Sequence, residues 1–88
     1  MDIAVFDTYV KKSDGRIMHF DIIVPVGTNP EDVYRFGRDY LHAIGQGNQR
    51  LTYRECRFCH VEPASANVER EIEAKGYYIY EMEGCPEC

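Results

Sequence analysis

The stretch Ile17-Met18-His19-Phe20-Asp21-Ile22-Ile23-Val24-Pro25-Val26 decides the fold of this chain. Apolar residues occupy every second position along it: Met18, Phe20, Ile22, Val24 and Val26. In an extended strand these side chains share one face, which we expect to point at the core. Residues 3–10 are also rich in β-branched and aromatic side chains, and residues 11–15 supply turn chemistry between the two stretches. The sequence therefore predicts a β-hairpin.

Two helices are predicted after the hairpin. Asn29 and Pro30 are residues typical of a helix cap and of the first helical position. Apolar residues then recur at steps of three and four: Val33, Phe36, Gly37, Tyr40, Leu41 and Ile44. This spacing predicts one apolar stripe on a helix that ends at Gly45. A second helix is predicted over residues 65–75, with Val68 and Ile72 facing inward and a stop at Gly76.

Residues 51–61 and 77–83 predict the two remaining strands. The resulting order, ββαβαβ, predicts an α+β fold. We expect a two-layer sandwich, in which a mostly antiparallel sheet of about four strands carries both helices on one face. The length predicts a single domain over residues 1–88, with a flexible tail over residues 84–88.

Charge and hydropathy limit the partners and the location. Fifteen acidic residues against ten basic ones give a net charge of −5, which disfavours binding to nucleic acid. No apolar run approaches the ~18 residues of a membrane span, so we expect no membrane partner. The first residues lack the basic and long apolar regions of a signal peptide, which predicts a cytoplasmic protein. In that reducing compartment, paired cysteines favour metal or redox roles over disulfides.

Several blocks of sequence together resemble one family of small bacterial proteins. They are Asp7-Thr8-Tyr9-Val10, Asp14-Gly15, Met18-His19-Phe20-Asp21-Ile22, Phe36-Gly37, Tyr40-Leu41, Leu51-Thr52, Glu55-Cys56, Phe58-Cys59-His60, Glu62, Gly76-Tyr77-Tyr78-Ile79 and Glu81-Met82-Glu83-Gly84-Cys85. Over nearly the whole chain they resemble the bacterial domain-of-unknown-function family numbered two thousand twenty-four. The resemblance implies a compact fold of helices and strands and brings no established activity.

The four cysteines form two Cys-x-x-Cys pairs, Cys56 with Cys59 and Cys85 with Cys88. Such pairs are typical of tetrahedral zinc sites, and His60 offers a nitrogen ligand in place of one thiolate. The strand context opposes this interpretation, because Cys56 and Cys59 of a regular strand point to opposite faces while Cys56 and His60 share one. The alternatives are ordinary free thiols, a c-type haem attachment motif and a redox pair.

The second face of the hairpin carries polar and apolar residues. Pairing Val10 with Arg16 would place Asp7 opposite His19, Val5 opposite Asp21 and Tyr9 opposite Ile17. A histidine between carboxylates could bind a cation, tune a general base or simply pair charges. The candidate interaction face consists of seven residues: Val5, Asp7, Tyr9, Ile17, His19, Asp21 and Ile23. Its apolar members suggest an unknown protein partner or a homodimer.

The sequence therefore favours a small, non-catalytic binding or interaction module. The alternative is a zinc-binding domain that uses the paired cysteines. A second alternative is a small enzyme that depends on a thiol or on His and Asp side chains, although no nucleophile, base and orienting group stand at a recognisable spacing. A chain this short also has little room for a deep pocket.

Overall fold

The computed structural model describes residues 1–84 of the 88-residue chain. Over these residues the elements are β1 (Asp2–Lys11), β2 (Ile17–Pro25), α1 (Pro30–Ala43), β3 (Cys56–Pro63), α2 (Ala66–Lys75) and β4 (Tyr78–Glu81). The strands form one sheet in the order β3-β1-β2-β4, and all neighbouring strands are antiparallel. The α+β fold and the order ββαβαβ are confirmed.

The hairpin register differs from the predicted one. Tyr9 lies opposite His19 and Asp7 opposite Asp21, a shift that moves each partner two residues along the strand. The reason lies in the turn, which runs from Lys12 to Arg16. The carboxylate of Asp14 accepts hydrogen bonds from the backbone and the guanidinium of Arg16, which keeps Arg16 in the loop. Because the shift is even, every side chain stays on its predicted face.

One face of the sheet packs against α1. Its buried residues come from β1, β2, α1 and the segment after α1: Ala4, Phe6, Val10, Met18, Phe20, Ile22, Val24, Val33, Leu41, Leu51 and Cys56. The helix lies so close that a Cβ added to Gly37 would be 2.6 Å from Leu51 Cδ1 and 2.8 Å from Ile22 Cδ1. The predicted inward face of β2 is therefore confirmed except at Val26, which follows the strand and is 53% exposed.

The prediction that both helices cover one face is wrong. Ile72 of α2 packs with Ile3, Val5 and Ile23, which lie on the face opposite to α1. The physical reason is visible in the strands, because residues 3–6 and 22–24 are continuous apolar runs and not alternating ones. Both sides of this half of the sheet need cover, so the molecule has three layers there. On the face that α2 covers, the half of the sheet near Tyr9 and Ile17 stays open to solvent.

The helix ends follow the capping residues. Asn29 accepts a hydrogen bond from the Glu31 N–H, Ser65 accepts one from the Val68 N–H, and Gly76 takes the left-handed conformation with φ 92°. Strand β3 begins later than predicted, because Glu55 accepts bonds from the backbone and hydroxyl of Thr52 in a turn. No helix within residues 1–84 is both long and apolar enough to cross a membrane.

The C-terminal end of the described chain lies against the hairpin. The Gly84 carbonyl accepts a hydrogen bond of 2.7 Å from Lys12 Nζ. A Cβ at Gly84 would be 2.6 Å from the Ile17 carbonyl oxygen, so this residue packs against β2. The rest of the predicted tail, residues 85–88, lies outside the described residues.

Candidate functional site

Three polar side chains meet on the open half of the sheet. Asp7 of β1 and His19 and Asp21 of β2 place one ligand atom each within 4.8 Å of one another. His19 Nε2 is 3.6 Å from Asp7 Oδ1 and 4.0 Å from Asp21 Oδ1. The three residues share this face because their sequence numbers are odd on paired strands, a pattern that the hairpin prediction already contained. We call them the Asp-His-Asp cluster.

Tyr9 fixes the imidazole of the cluster. It is the cross-strand partner of His19, and the two rings stack with centroids 4.0 Å apart and planes inclined by 12°. A cross-strand aromatic pair of this kind restricts the rotamers of both side chains. The stack therefore holds His19 Nε2 facing the two carboxylates.

The two carboxyl groups of the cluster differ in acidity. Burial, together with the hydrogen bond to Asp7 and the charge of Asp7, raises the pKa of Asp21 to about 7. The hydrogen bond with Asp21 lowers the pKa of Asp7, and bonds with Cys59 and His19 act in the same direction. Near neutral pH the pair therefore holds between one and two negative charges in a confined space.

A β-bulge in β3 brings two further side chains to this face. Phe58 pairs with Phe6, but His60 pairs with Val5, so Cys59 is an extra residue in β3. A regular strand would send Cys59 and His60 to opposite faces, whereas the bulge leaves both on the side of the cluster. The expectation that Cys56 and His60 share a face is therefore wrong.

Cys59 and His60 lie on the same face as the cluster and contact each other. Interaction with the thiol of Cys59 contributes to the lowered pKa of the Asp7 carboxyl group. His60 Nδ1 is 3.2 Å from Cys59 Sγ, and its Nε2 bonds to the carboxylate of Glu62. Desolvation and the negative charges of Asp7 and Asp21 raise the pKa of the Cys59 thiol. The order thiol, imidazole, carboxylate resembles a nucleophilic triad, but the raised pKa opposes an activated thiolate.

Within residues 1–84, Cys56 does not join this group. Cys56 is 2% exposed and lies under α1, where burial raises the pKa of its thiol. The sheet thus separates Cys56 from Cys59, as the strand geometry predicted. Of the predicted zinc set, Cys56, Cys59, His60, Cys85 and Cys88, the described residues bring Cys59 and His60 together and leave Cys56 apart. Cys85 and Cys88 lie outside the described residues.

The predicted interaction face is only partly open. Val5 and Ile23 are buried beneath α2 and do not line it. Tyr9 and Ile17 are more than half exposed, beside the Asp-His-Asp cluster. The sequence analysis gave no site role to Glu62, which the bulge brings to the face of the cluster together with His60, its neighbour two residues away in β3.

A shallow cavity lies elsewhere, at the free edge of β4. It measures about 280 Å³ and is lined by residues that include Asp39, Tyr40, Lys75 and Tyr77. The same lining includes Glu81, whose carboxylate already accepts a hydrogen bond from the Tyr40 hydroxyl. The ligand atoms of Asp7, His19 and Asp21 converge on one another, so we place the candidate site at the Asp-His-Asp cluster.

Opposite placement of the two thiols predicts different reactivity. In native protein with chelator present, iodoacetamide should modify Cys59 well before Cys56, because Cys56 is almost fully buried. Peptide mass spectrometry over a time course measures the two rates separately. Denatured protein, in which the rates should become similar, is the control; equal rates in native protein would contradict the described packing.

These features define a small α+β protein with carboxylate, imidazole and thiol side chains grouped on one face of the sheet. The family model described as "Domain of unknown function (DUF2024)" matches residues 1–82, and the chain belongs to this family, as the resemblance predicted. The NMR structure of protein NE1680 from Nitrosomonas europaea is similar, with 45% sequence identity and a TM-score of 0.86. That alignment covers 97% of this chain and 99% of the other. No curated protein matches the chain.

Proposed function

We propose that this protein is a binding module for a divalent transition-metal ion, held by Asp7, His19 and Asp21. The observation that carries the proposal is the approach of their ligand atoms to within 4.8 Å of one another. Oxygen and nitrogen ligands at about 2.0–2.2 Å from an ion lie at most about 4.4 Å apart. Only small side-chain movements therefore separate the described cluster from a coordinating one.

The charge balance of the cluster supports a cation. Asp21 Oδ1 is buried and has no hydrogen-bond partner among the described residues. The raised pKa of Asp21 reflects burial and a neighbouring carboxylate. A dication between Asp7 and Asp21 removes the repulsion and supplies the missing partner.

The ligand types indicate the class of ion. Two carboxylates alone would suit magnesium or calcium, but imidazole is a ligand typical of zinc, iron, copper and nickel. The site lies on paired strands of the hairpin, and the Tyr9 ring stacks on the face of the His19 ring. Such support from a neighbouring side chain is what orients the direct ligands in metal sites.

Covalent catalysis by Cys59 is less well supported than metal binding. A thiol nucleophile needs a lowered pKa, and the carboxylates near Cys59 raise it. The same carboxylates favour a cation. Binding is therefore the function that the charges of this face support.

Calorimetric titration of metal-free protein with Zn²⁺, Co²⁺ and Mg²⁺ tests the proposal. We expect one zinc or cobalt ion per chain and much weaker binding of magnesium. His19→Gln, which keeps the approximate size of the side chain, should weaken zinc binding by about 100-fold or more because it removes a direct ligand.

The matched control is His42→Gln, since His42 is an exposed residue of α1 and remote from the hairpin face. This variant should bind zinc as the wild type does. The proposal fails if wild-type protein takes up no zinc or cobalt, or if both histidine variants bind equally well.

A further inference from the structure

The geometry points to Cys59 as a fourth ligand of the ion at the Asp-His-Asp cluster, which makes the site a mixed oxygen, nitrogen and sulfur site selective for zinc. This inference rests on the proposed function and names the class of ion more narrowly. The sequence predicted a zinc site built mainly from the two Cys-x-x-Cys pairs. The proposed site instead combines the single thiolate of Cys59 with the Asp-His-Asp cluster on β1 and β2.

The bulge is the first observation behind this assignment. Phe58 and His60 are paired with β1 residues on either side of Cys59, which itself has no partner in the ladder. Bulges are common beside functional sites, where they re-aim one side chain. In this protein the re-aimed group is a thiol, and it lies on the face of the cluster.

The contacts of Cys59 are the second observation. Its thiol interacts with Asp7, since the pKa of each group responds to the other, and the Asp7 carboxylate also lies 3.6 Å from His19 Nε2. Asp7 thus interacts with both the imidazole and the thiol. Cys59 Sγ lies outside the group of ligand atoms within 4.8 Å of one another, so we expect rotation of this side chain about its Cα–Cβ bond to carry the sulfur towards the ion. When the sulfur binds, the thiol proton leaves to solvent and the thiolate forms the bond to zinc.

The third argument is the number of ligands that zinc takes and its preference for soft ligands such as thiolate. The Asp-His-Asp cluster supplies three ligands, and zinc is most often four-coordinate and tetrahedral. A thiolate in the fourth position favours zinc and cobalt strongly over manganese and magnesium, which prefer oxygen. His60, bonded to Glu62 and 3.2 Å from the sulfur, lies where it can hold Cys59 in place.

Absorption spectroscopy of the cobalt-substituted protein tests the assignment. A thiolate bound to Co²⁺ gives a near-ultraviolet charge-transfer band, and the wild type should show it. Cys59→Ser should lose the band and weaken zinc binding by about 10-fold or more, while its binding of Mn²⁺ stays unchanged. Cys59 is exposed, so this variant should fold, which circular dichroism checks.

Two control variants separate Cys59 from the other thiols. Cys56→Ala, and the double variant Cys85→Ser with Cys88→Ser, should both keep the band. If the double variant loses the band while Cys59→Ser keeps it, the assignment to Cys59 is overturned. If cobalt binds with a dependence on His19 but without any charge-transfer band, the assignment of Cys59 also fails, although the proposed function stands. Absence of cobalt binding in calorimetry would overturn both.

Discussion

Replacing Asp21 by asparagine should stabilise the metal-free protein at pH 8 and strongly weaken its metal binding. The carboxylate of Asp21 is largely buried beside Asp7, and burial is the main cause that raises its pKa to about 7. At pH 8 the folded protein must hold this charge in a poor environment. The substitution Asp21→Asn keeps the shape of the side chain and removes its charge, and with the charge it removes one metal ligand.

The sign of the pH dependence follows from linkage. Because the pKa of Asp21 is higher in the folded than in the unfolded state, its stabilising contribution is complete below about pH 4 and is lost as the pH rises through about 7. The advantage of the variant should therefore grow between pH 5 and pH 8. We expect it to reach on the order of 1–2 kcal/mol, less than the full shift implies, because solvent reaches the open side of the site.

Urea unfolding of both proteins at pH 5 and pH 8 with chelator present measures this difference. Asp39→Asn, on the exposed side of α1, is the matched control and should change stability little at either pH. Calorimetry with zinc completes the experiment, since Asp21→Asn should lose about 100-fold or more in affinity. A variant that is less stable than the wild type at pH 8 would contradict the described burial of the carboxylate. A gain in stability with a loss of binding would show that the chain keeps Asp21 for its function.

Much of the fold could be predicted because its signals are local. Alternation in residues 17–26, the Asn29-Pro30 helix start and the Gly76 stop each follow from the conformational preference of a few neighbouring residues. The side of the sheet chosen by α2 is not local in this sense. It depends on which apolar surface remains uncovered after α1 has packed, and the signal was the second apolar face formed by Ile3, Val5 and Ile23.

The site could be predicted only in part for a related reason. Asp7, His19 and Asp21 were recognisable as members of one face, because an even shift in register preserves which side chains share it. The position of His60 depends on one inserted residue in β3, and nothing in Cys56-Arg57-Phe58-Cys59-His60 marks where the ladder slips. From the sequence alone, Cys59 was therefore assigned to the predicted zinc site and Asp7 to the predicted interaction face. Only the pairing of β1 with β3 brings the two residues to one face.

Shortening Ile72 to alanine should cause a large loss of stability, because this residue is the buried contact between α2 and the sheet. Ile72 is 6% exposed and packs with Ile3, Val5 and Ile23. Removal of a buried isoleucine side chain costs about 2–5 kcal/mol, a large share of the stability of a domain of this size. Urea unfolding measures the loss, and Glu73→Ala, an exposed change in the same helix, is the matched control with an expected effect below about 0.5 kcal/mol.

Hydrogen exchange of the Ile72→Ala variant distinguishes the three-layer arrangement from a helix that merely lies near the sheet. Amide protection should fall most in α2 and in the half of the hairpin around Val5 and Ile23, because α2 covers these residues. Protection in α1, which packs on the other face, should fall less. Zinc binding by the folded fraction should persist, since the strands of the hairpin themselves hold Asp7, His19 and Asp21. Equal loss of protection in both helices would contradict separate packing on the two faces of the sheet.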